Sequence, residues 1–279
     1  MANVTRLDWL AKAGFAARGI VYILFGWIAL SARGKADEGQ KAVFDKVQDM
    51  PMGDVLLTLL ALGLFAYGVF RLTSGFLDIE GKGDDPKGLA GRTAQVGSGL
   101  FYLLLAYTAS QFLGGGKPEG NATGSGSSQD AAKTLLDLEL GDAGLWLVAL
   151  GFLAAAGLQV RKAFKGSHMK QCAPDTPAFA KTFGQIGLVT RGLVFAVIAY
   201  SFIKVAQTND PGQAKAGGAA IASLLGSSPT LYKLVAAGLI LFGVFSLILA
   251  RYRIVPAIDI AGAAKDGARA AQAKVSARD

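Results

Sequence analysis

Ala17-Arg-Gly-Ile-Val-Tyr22 opens one long apolar run, Gly97-Ser-Gly-Leu-Phe-Tyr102 opens a second, and Thr190-Arg-Gly-Leu-Val-Phe195 opens a third. Each run is followed by a soluble stretch and then by another apolar run. These later runs also match: Ala61-Leu-Gly-Leu-Phe-Ala-Tyr-Gly68, Ala149-Leu-Gly-Phe-Leu-Ala-Ala-Ala156 and Ala236-Ala-Gly-Leu-Ile-Leu-Phe-Gly243. The unit recurs roughly every 85–90 residues, and a fixed long period is the signature of a repeat architecture. Repeat 1 is read at 7–84, repeat 2 at 85–170, repeat 3 at 171–256, and a tail at 257–279.

Of the 279 residues, 52% are hydrophobic and 17% charged, too apolar for an ordinary soluble domain. Six runs approach the length of a membrane-spanning helix: Ala13–Ala32, Val55–Leu77, Val96–Leu113, Leu145–Val160, Phe183–Val205 and Leu231–Ala250. Backbone polar groups in lipid need internal partners, so runs of this kind read as helices. The first run, with Arg6 and Lys12 before it and Ala29 and Ser31 near its end, also fits a signal peptide. The same pattern recurs at 190–203, inside the chain, so it is read as a retained span.

An even number of spans per repeat returns the chain to one side, giving three parallel helical hairpins about an axis along the membrane normal. The expected fold is an all-α integral membrane protein of six transmembrane helices in a pseudo-threefold bundle. With both termini inside, 16 of the 28 Lys and Arg fall in inner segments, 9 in outer ones and 3 within the runs. That bias matches the positive-inside rule, most clearly at Arg161, Lys162, Lys165 and Lys170. The net charge of +8 is therefore a topology signal, with both termini on the inner, cytoplasmic side. Without an aromatic-interleaved basic patch, no nucleic-acid partner is expected. The partner implied is the lipid bilayer, anionic lipids included, and oligomeric state is not legible.

The outer loops carry a second pattern. Val43, Val47 and Met50 share a helical face, as do Ala131, Leu135 and Leu138, and Gly218, Ala222 and Leu225. Each is read as a short amphipathic helix at the outer surface. Residues 114–128, rich in Gly and Ser, read as a flexible linker.

The repeat resembles the bacterial membrane family called domain of unknown function 1206. The residues that carry the resemblance are Gly14, Ala17-Arg18-Gly19, Tyr22, Gly63, Tyr67-Gly68 and Arg71 in the first copy. In the third they are Gly187, Arg191-Gly192, Phe195, Gly238 and Phe242-Gly243. The second copy departs: Ser98 stands for the Arg, and Ala155-Ala156 for Tyr-Gly. The resemblance implies three two-helix repeats in a membrane and brings no activity with it.

Arg18, Arg71 and Arg191 are the sharpest feature, because a charge within a span costs roughly 2.5–3.5 kcal/mol at the centre on insertion scales. No Asp or Glu lies in the runs to pair with them. Three readings stand: snorkelling to headgroups, hydrogen bonds that fix repeat contacts, or an inward-facing site for an anion or acidic lipid headgroup, which suits the planar guanidinium fork. Repeat 2 offers Ser98 and Gln159 at the aligned places. Gly19, Gly63, Gly68, Gly192, Gly238 and Gly243 are read as helix-packing positions, with Gly26, Gly97 and Gly99 beside them. Tyr22, Tyr67, Tyr102, Tyr107 and Tyr200 bring hydroxyls into the spans.

His168 and Cys172 are too few ligands for a metal site and read as part of a solvated loop. Asp54, Glu139 and Asp142 fit helix starts. No catalytic residue, metal or cofactor is expected. The residues point to a non-catalytic structural, lipid-binding or partner-binding membrane protein. The alternative is a small channel or transporter with an Arg-lined inward site.

Overall fold

The computed structural model describes residues 2–31, 40–116, 125–137, 141–170, 172–215 and 217–254. Among them no strand forms, apart from an isolated bridge between Cys172 and Arg253. Repeat 1 contributes α1 (Ala2–Ser31), α2 (Gln40–Gln48) and α3 (Gly53–Phe76). Repeat 2 contributes α4 (Pro86–Ser110), α5 (Ser125–Asp137) and α6 (Gly141–Phe164). Repeat 3 contributes α7 (Phe179–Thr208), α8 (Gly217–Ser227) and α9 (Pro229–Tyr252).

Local chemistry sets several of these ends. Asp85 accepts from the Gly88 N–H at 3.1 Å and Pro86 occupies the first turn of α4. Ser228 and Pro229 do the same for α9, with Leu231 N–H as donor at 3.3 Å. At the far end of α3, Arg92 donates to the carbonyls of Gly75 and Phe76, both at 2.9 Å. A cation there satisfies orphan carbonyls and opposes the negative end of the helix dipole.

Among the described residues five helices are long and apolar enough to cross a membrane: Trp9–Ser31 of α1, and α3, α6, α7 and α9. Six were expected. The shortfall is α4, which has 25 residues but carries Lys87, Arg92, Thr93 and Gln95 before its apolar part begins at Val96. What remains is shorter than the hydrocarbon core requires of a straight helix.

The most extensive packing joins α9 to α1, α3 to α4, and α6 to α7. Each junction links the second long helix of one repeat to the first of another, and each uses the same aligned pair. A Cβ added at Gly19 would meet the Gly243 carbonyl at 2.8 Å, and one at Gly68 the Gly99 carbonyl at 3.1 Å. At Gly192 it would meet the Ala156 carbonyl at 3.2 Å. Small residues let the backbones approach, which is what holds helices together where lipid offers no hydrophobic contrast.

Within the repeats the pattern breaks. In repeat 1, the Tyr67 side chain sits against Gly14, whose added Cβ would lie 2.6 Å from the Tyr67 Cα. In repeat 3, Phe242 sits against Gly187, 2.6 Å from its Cβ by the same measure. Gly63 meets Ala17 at 2.5 Å, and Gly238 meets Thr190. The aligned residues of repeat 2 are Ala94 and Ala155, then Gly97 and Gly151. Both the aromatic knob and its glycine hole are gone, and an added Cβ at Gly97 or Gly151 would meet nothing within 4 Å. Among the described residues, α4 and α6 make no more than glancing contact. The expected closed bundle is therefore open between α4 and α6, and Gly97 is not a packing position.

The three short helices expected between the spans exist as α2, α5 and α8, with corrections to their faces. Val43 and Val47 are buried and Met50 is exposed. In α5 Ser128 and Ala132 are buried, and Ala131 faces out. In α8 the buried residues include Ile221 and Leu224. Leu138 and Glu139 lie outside the described residues, as do the side chains of Gly218 and Leu225. Of the stretch expected to be a linker, Ser125–Ser128 are helical and belong to α5. The tail 257–279 lies outside the described residues.

Candidate basic site between the helices

Arg18 is buried on α1, at 7% exposure, so it does not snorkel. Its Nη1 donates to the Tyr67 hydroxyl on α3 at 2.6 Å. Its Nε and Nη2 donate to the Ser246 hydroxyl on α9 at 3.2 and 3.0 Å. Ser246 in turn donates to the Phe242 carbonyl at 2.8 Å. The guanidinium carbon also lies 4.8, 5.0 and 4.9 Å from the ring centres of Phe15, Tyr67 and Phe242. Ring faces and hydroxyl dipoles thus solvate this charge in place of water. Arg18 ties three helices from two repeats together.

Arg191, on α7, is half-buried. It shares the Phe242 ring, at 4.8 Å, and lies 5.4 Å from Phe195 and 5.7 Å from Tyr22, whose hydroxyl is beside it. Among the described residues no carboxylate lies within ion-pair distance of Arg18 or Arg191. Two guanidinium groups on one ring, with no anion between them, leave positive potential that a low-dielectric interior does not screen.

Arg71 has a different environment. Its Nη1 lies 3.9 Å from Glu80, in the α3–α4 connection. The Glu80 carboxylate also accepts from Arg253 at 2.7 Å and sits 3.2 Å from the Lys82 ammonium. Burial pushes the Glu80 carboxyl up, and Arg253, Arg71 and Lys82 outweigh it and hold it below its ordinary value. Burial pushes the Lys82 ammonium down against the pull of Glu80. The expectation that the arginines lack an acid thus fails at Arg71, because Glu80 lies just beyond the apolar run and the chain folds back. That fold is made by Asp78, in the left-handed region at φ 47°, whose carboxylate accepts from the Lys82 and Gly83 N–H groups, both at 2.7 Å.

Arg253 stacks over Phe15 at 4.9 Å, and Lys162 of α6 is within electrostatic reach of Arg71, Lys82, Glu80 and Arg191. The cluster is six cations about one carboxylate. Several donors and acceptors in it are unspent: Arg71 Nε and Arg253 Nε are buried without a partner. Gln95 is 1% exposed and neither its Oε1 nor its Nε2 is hydrogen-bonded. It occupies in repeat 2 the place that Phe15, under Arg18 and Arg253, fills in repeat 1. A buried amide without partners costs about 1–3 kcal/mol. Gln95, Glu80, Ser246 and Arg253 were not singled out in the sequence, and Lys162 only as part of the positive-inside signal. Glu80 could have been, as an acid close behind the Arg71 run.

Of the tyrosines, Tyr67 and Tyr102 are buried with ring centres 4.6 Å apart, and Tyr107 and Tyr200 point outward. Ser98 and Gln159 are half-buried. His168 is not in a solvated loop. It is half-buried, edge-on to Phe245 at 5.4 Å, with its ring nitrogens 3.2 Å from the Lys162 and Lys181 carbonyls. Burial pushes the Cys172 thiol up, away from a reactive thiolate. Asp54 and Asp142 lie in the first turns of α3 and α6. A shallow depression of about 300 Å³ near Gln129 and Lys215 lies between α5 and α8. Among the described residues no group of three His, Cys, Asp or Glu could hold a metal.

The family model described as Domain of Unknown Function (DUF1206) matches residues 13–78, 93–166 and 186–253, one segment per repeat. The chain is 28% identical over 257 residues to the uncharacterized protein YxxB of Bacillus subtilis (strain 168), covering 87% of this chain and 90% of that one. No solved structure matches.

Proposed function

For a chain that belongs to the DUF1206 family, to which no activity is assigned, we propose a non-catalytic role in the bacterial plasma membrane: the basic cluster binds the anionic group of a lipid or small anion. The observation that carries this reading is the imbalance around Glu80. Arg71, Lys82 and Arg253 share the Glu80 carboxylate, Lys162 is within electrostatic reach of it, and among the described residues Arg18 and Arg191 have no carboxylate in ion-pair range. A guanidinium at the edge of a membrane core is matched by phosphate oxygens, which accept in the fork geometry it offers.

In this reading α4 is the sixth span, its basic first half lying at the headgroup level, and the three repeats surround one axis with both termini cytoplasmic. The excess of Lys and Arg in the inner segments, termini included, 16 against 9 in the outer ones, supports that orientation. A channel along the axis is disfavoured by the aromatic cluster of Phe15, Tyr67, Phe70 and Tyr102, whose rings pack against one another at the height of Arg18.

The test is native mass spectrometry of the protein released from vesicles of mixed phosphatidylglycerol and phosphatidylcholine. The wild type is expected to retain phosphatidylglycerol selectively, and Arg191→Gln to retain at least fivefold less. Equal retention by both, or no preference for the anionic lipid, overturns the reading.

A further inference from the structure

The α6 side of the gap between α4 and α6 carries Lys162, which belongs to the basic cluster. On α6, Gly151, Ala155 and Lys162 fall on one stripe, since eleven residues make close to three full turns. On α4, Lys87, Ala94 and Gly97 likewise share a side. Both stripes begin in residues too small to fill space and end in a lysine on the same membrane face. The other two repeats close the aligned position with an aromatic ring seated on a glycine. Repeat 2 has lost the ring and the seat together, so its helices present open backbone to the bilayer.

We infer that the α4–α6 gap is a berth for the acyl chain of an anionic phospholipid, whose phosphate is held by Arg191 and Lys162. This rests on the anion-binding reading above and adds to it the source of the anion and its way in. Three observations favour lipid over a protein helix. Cationic side chains stand at one end of the gap and none stands along it, which matches a molecule with one anionic end. Glu80 is already saturated by Arg253, Lys82 and Arg71, leaving Lys162, on the α6 side of the gap, and Arg191, within electrostatic reach of it, without an ion pair of their own among the described residues. Gln95, fully buried with both polar atoms unpartnered, sits on α4 on the interior side of that end and offers a donor for a phosphate or ester oxygen.

The experiment compares wild type, Gly97→Leu/Gly151→Leu and Arg191→Gln in the vesicle assay, with soluble glycerol phosphate as a second probe. Gly157→Leu is the control: it too meets nothing within 4 Å, and it lies about 120° around α6 from Gly151. The leucine pair is expected to retain at least fivefold less phosphatidylglycerol while binding glycerol phosphate as the wild type does. Gly157→Leu should behave as wild type, and Arg191→Gln should lose both probes. Gly97→Ala/Gly151→Ala gives a milder filling if the leucines disturb folding, and a partial loss is expected there. Undiminished lipid retention in the leucine pair overturns the berth and leaves the basic site standing. Undiminished binding of both probes by Arg191→Gln removes the anion site, and the berth with it. Added polypeptide mass on the wild type that the leucines displace assigns the gap to a second chain and overturns the lipid assignment.

Discussion

Repeats 1 and 3 close on themselves, and repeat 2 does not. The three share one pattern, and the junctions between them use the same small pair each time: Gly19 with Gly243, Gly99 with Gly68, Gly192 with Ala156. The difference is confined to the hairpin interior. Tyr67 over Gly14 and Phe242 over Gly187 are knobs in holes, and Ala155 with Ala94 is neither. The same repeat has also lost its arginine, since Ser98 stands where Arg18 and Arg191 stand. Packing in lipid depends on close fit rather than on hydrophobic contrast, so two substitutions are enough to release a helix pair.

The largest effect that would test this contrast comes from filling a seat that is in use. Gly14→Leu places a side chain into the Tyr67 backbone and should cost about 3 kcal/mol or prevent accumulation. Ala94→Leu, at the aligned but open place, should leave the melting temperature in detergent nearly unchanged. Similar losses from both would mean that α4 and α6 do pack together.

Glu80→Gln comes next. It leaves Arg71, Arg253 and Lys82 facing one another without an anion, at about 2 kcal/mol. The pH dependence has a definite sign. The folded carboxyl lies below its unfolded value of about 4.3, so its contribution is complete above that pH and is lost as pH falls through the folded value. Acid titration of thermal stability should show this loss in the wild type, and a smaller one in Glu80→Gln.

Arg18→Met should cost about 1 kcal/mol, because the lost hydrogen bonds to Tyr67 and Ser246 are partly offset by no longer burying a charge. Arg191→Met should cost less still, since it has fewer partners to lose. A larger effect at Arg191 would mean that its charge holds the fold rather than a ligand. The smallest change is expected of Gly151→Ala, within about 0.5 kcal/mol of wild type and in the stabilising direction through helix propensity.

The helices were legible because their signal is local. Runs such as Phe183–Val205 have no other stable state in lipid, and the structure extends that one to Phe179–Thr208 without moving it. The basic site was legible only in part. Arg18, Arg71 and Arg191 announce themselves by being charged where charge is costly. Their partners do not: Ser246 is 228 residues from Arg18, and Arg253 is 173 from Glu80. Glu80 sits in a polar turn that reads as loop until Asp78 folds it back. The polar start of α4 was visible too, and its apolar remainder, Val96–Leu113, reads as a span by its hydropathy.

By itself the sequence determined the number of repeats, the positions of their helices and the residue types at each aligned place, because hydropathy and periodicity are carried by neighbours along the chain. It also recorded that repeat 2 departs from its siblings. What that departure does was decided by the tertiary structure alone. Whether a glycine is a seat or an open surface depends on which side chain a distant helix brings to it: Gly63 meets Ala17, and the aligned Gly151 meets nothing within 4 Å.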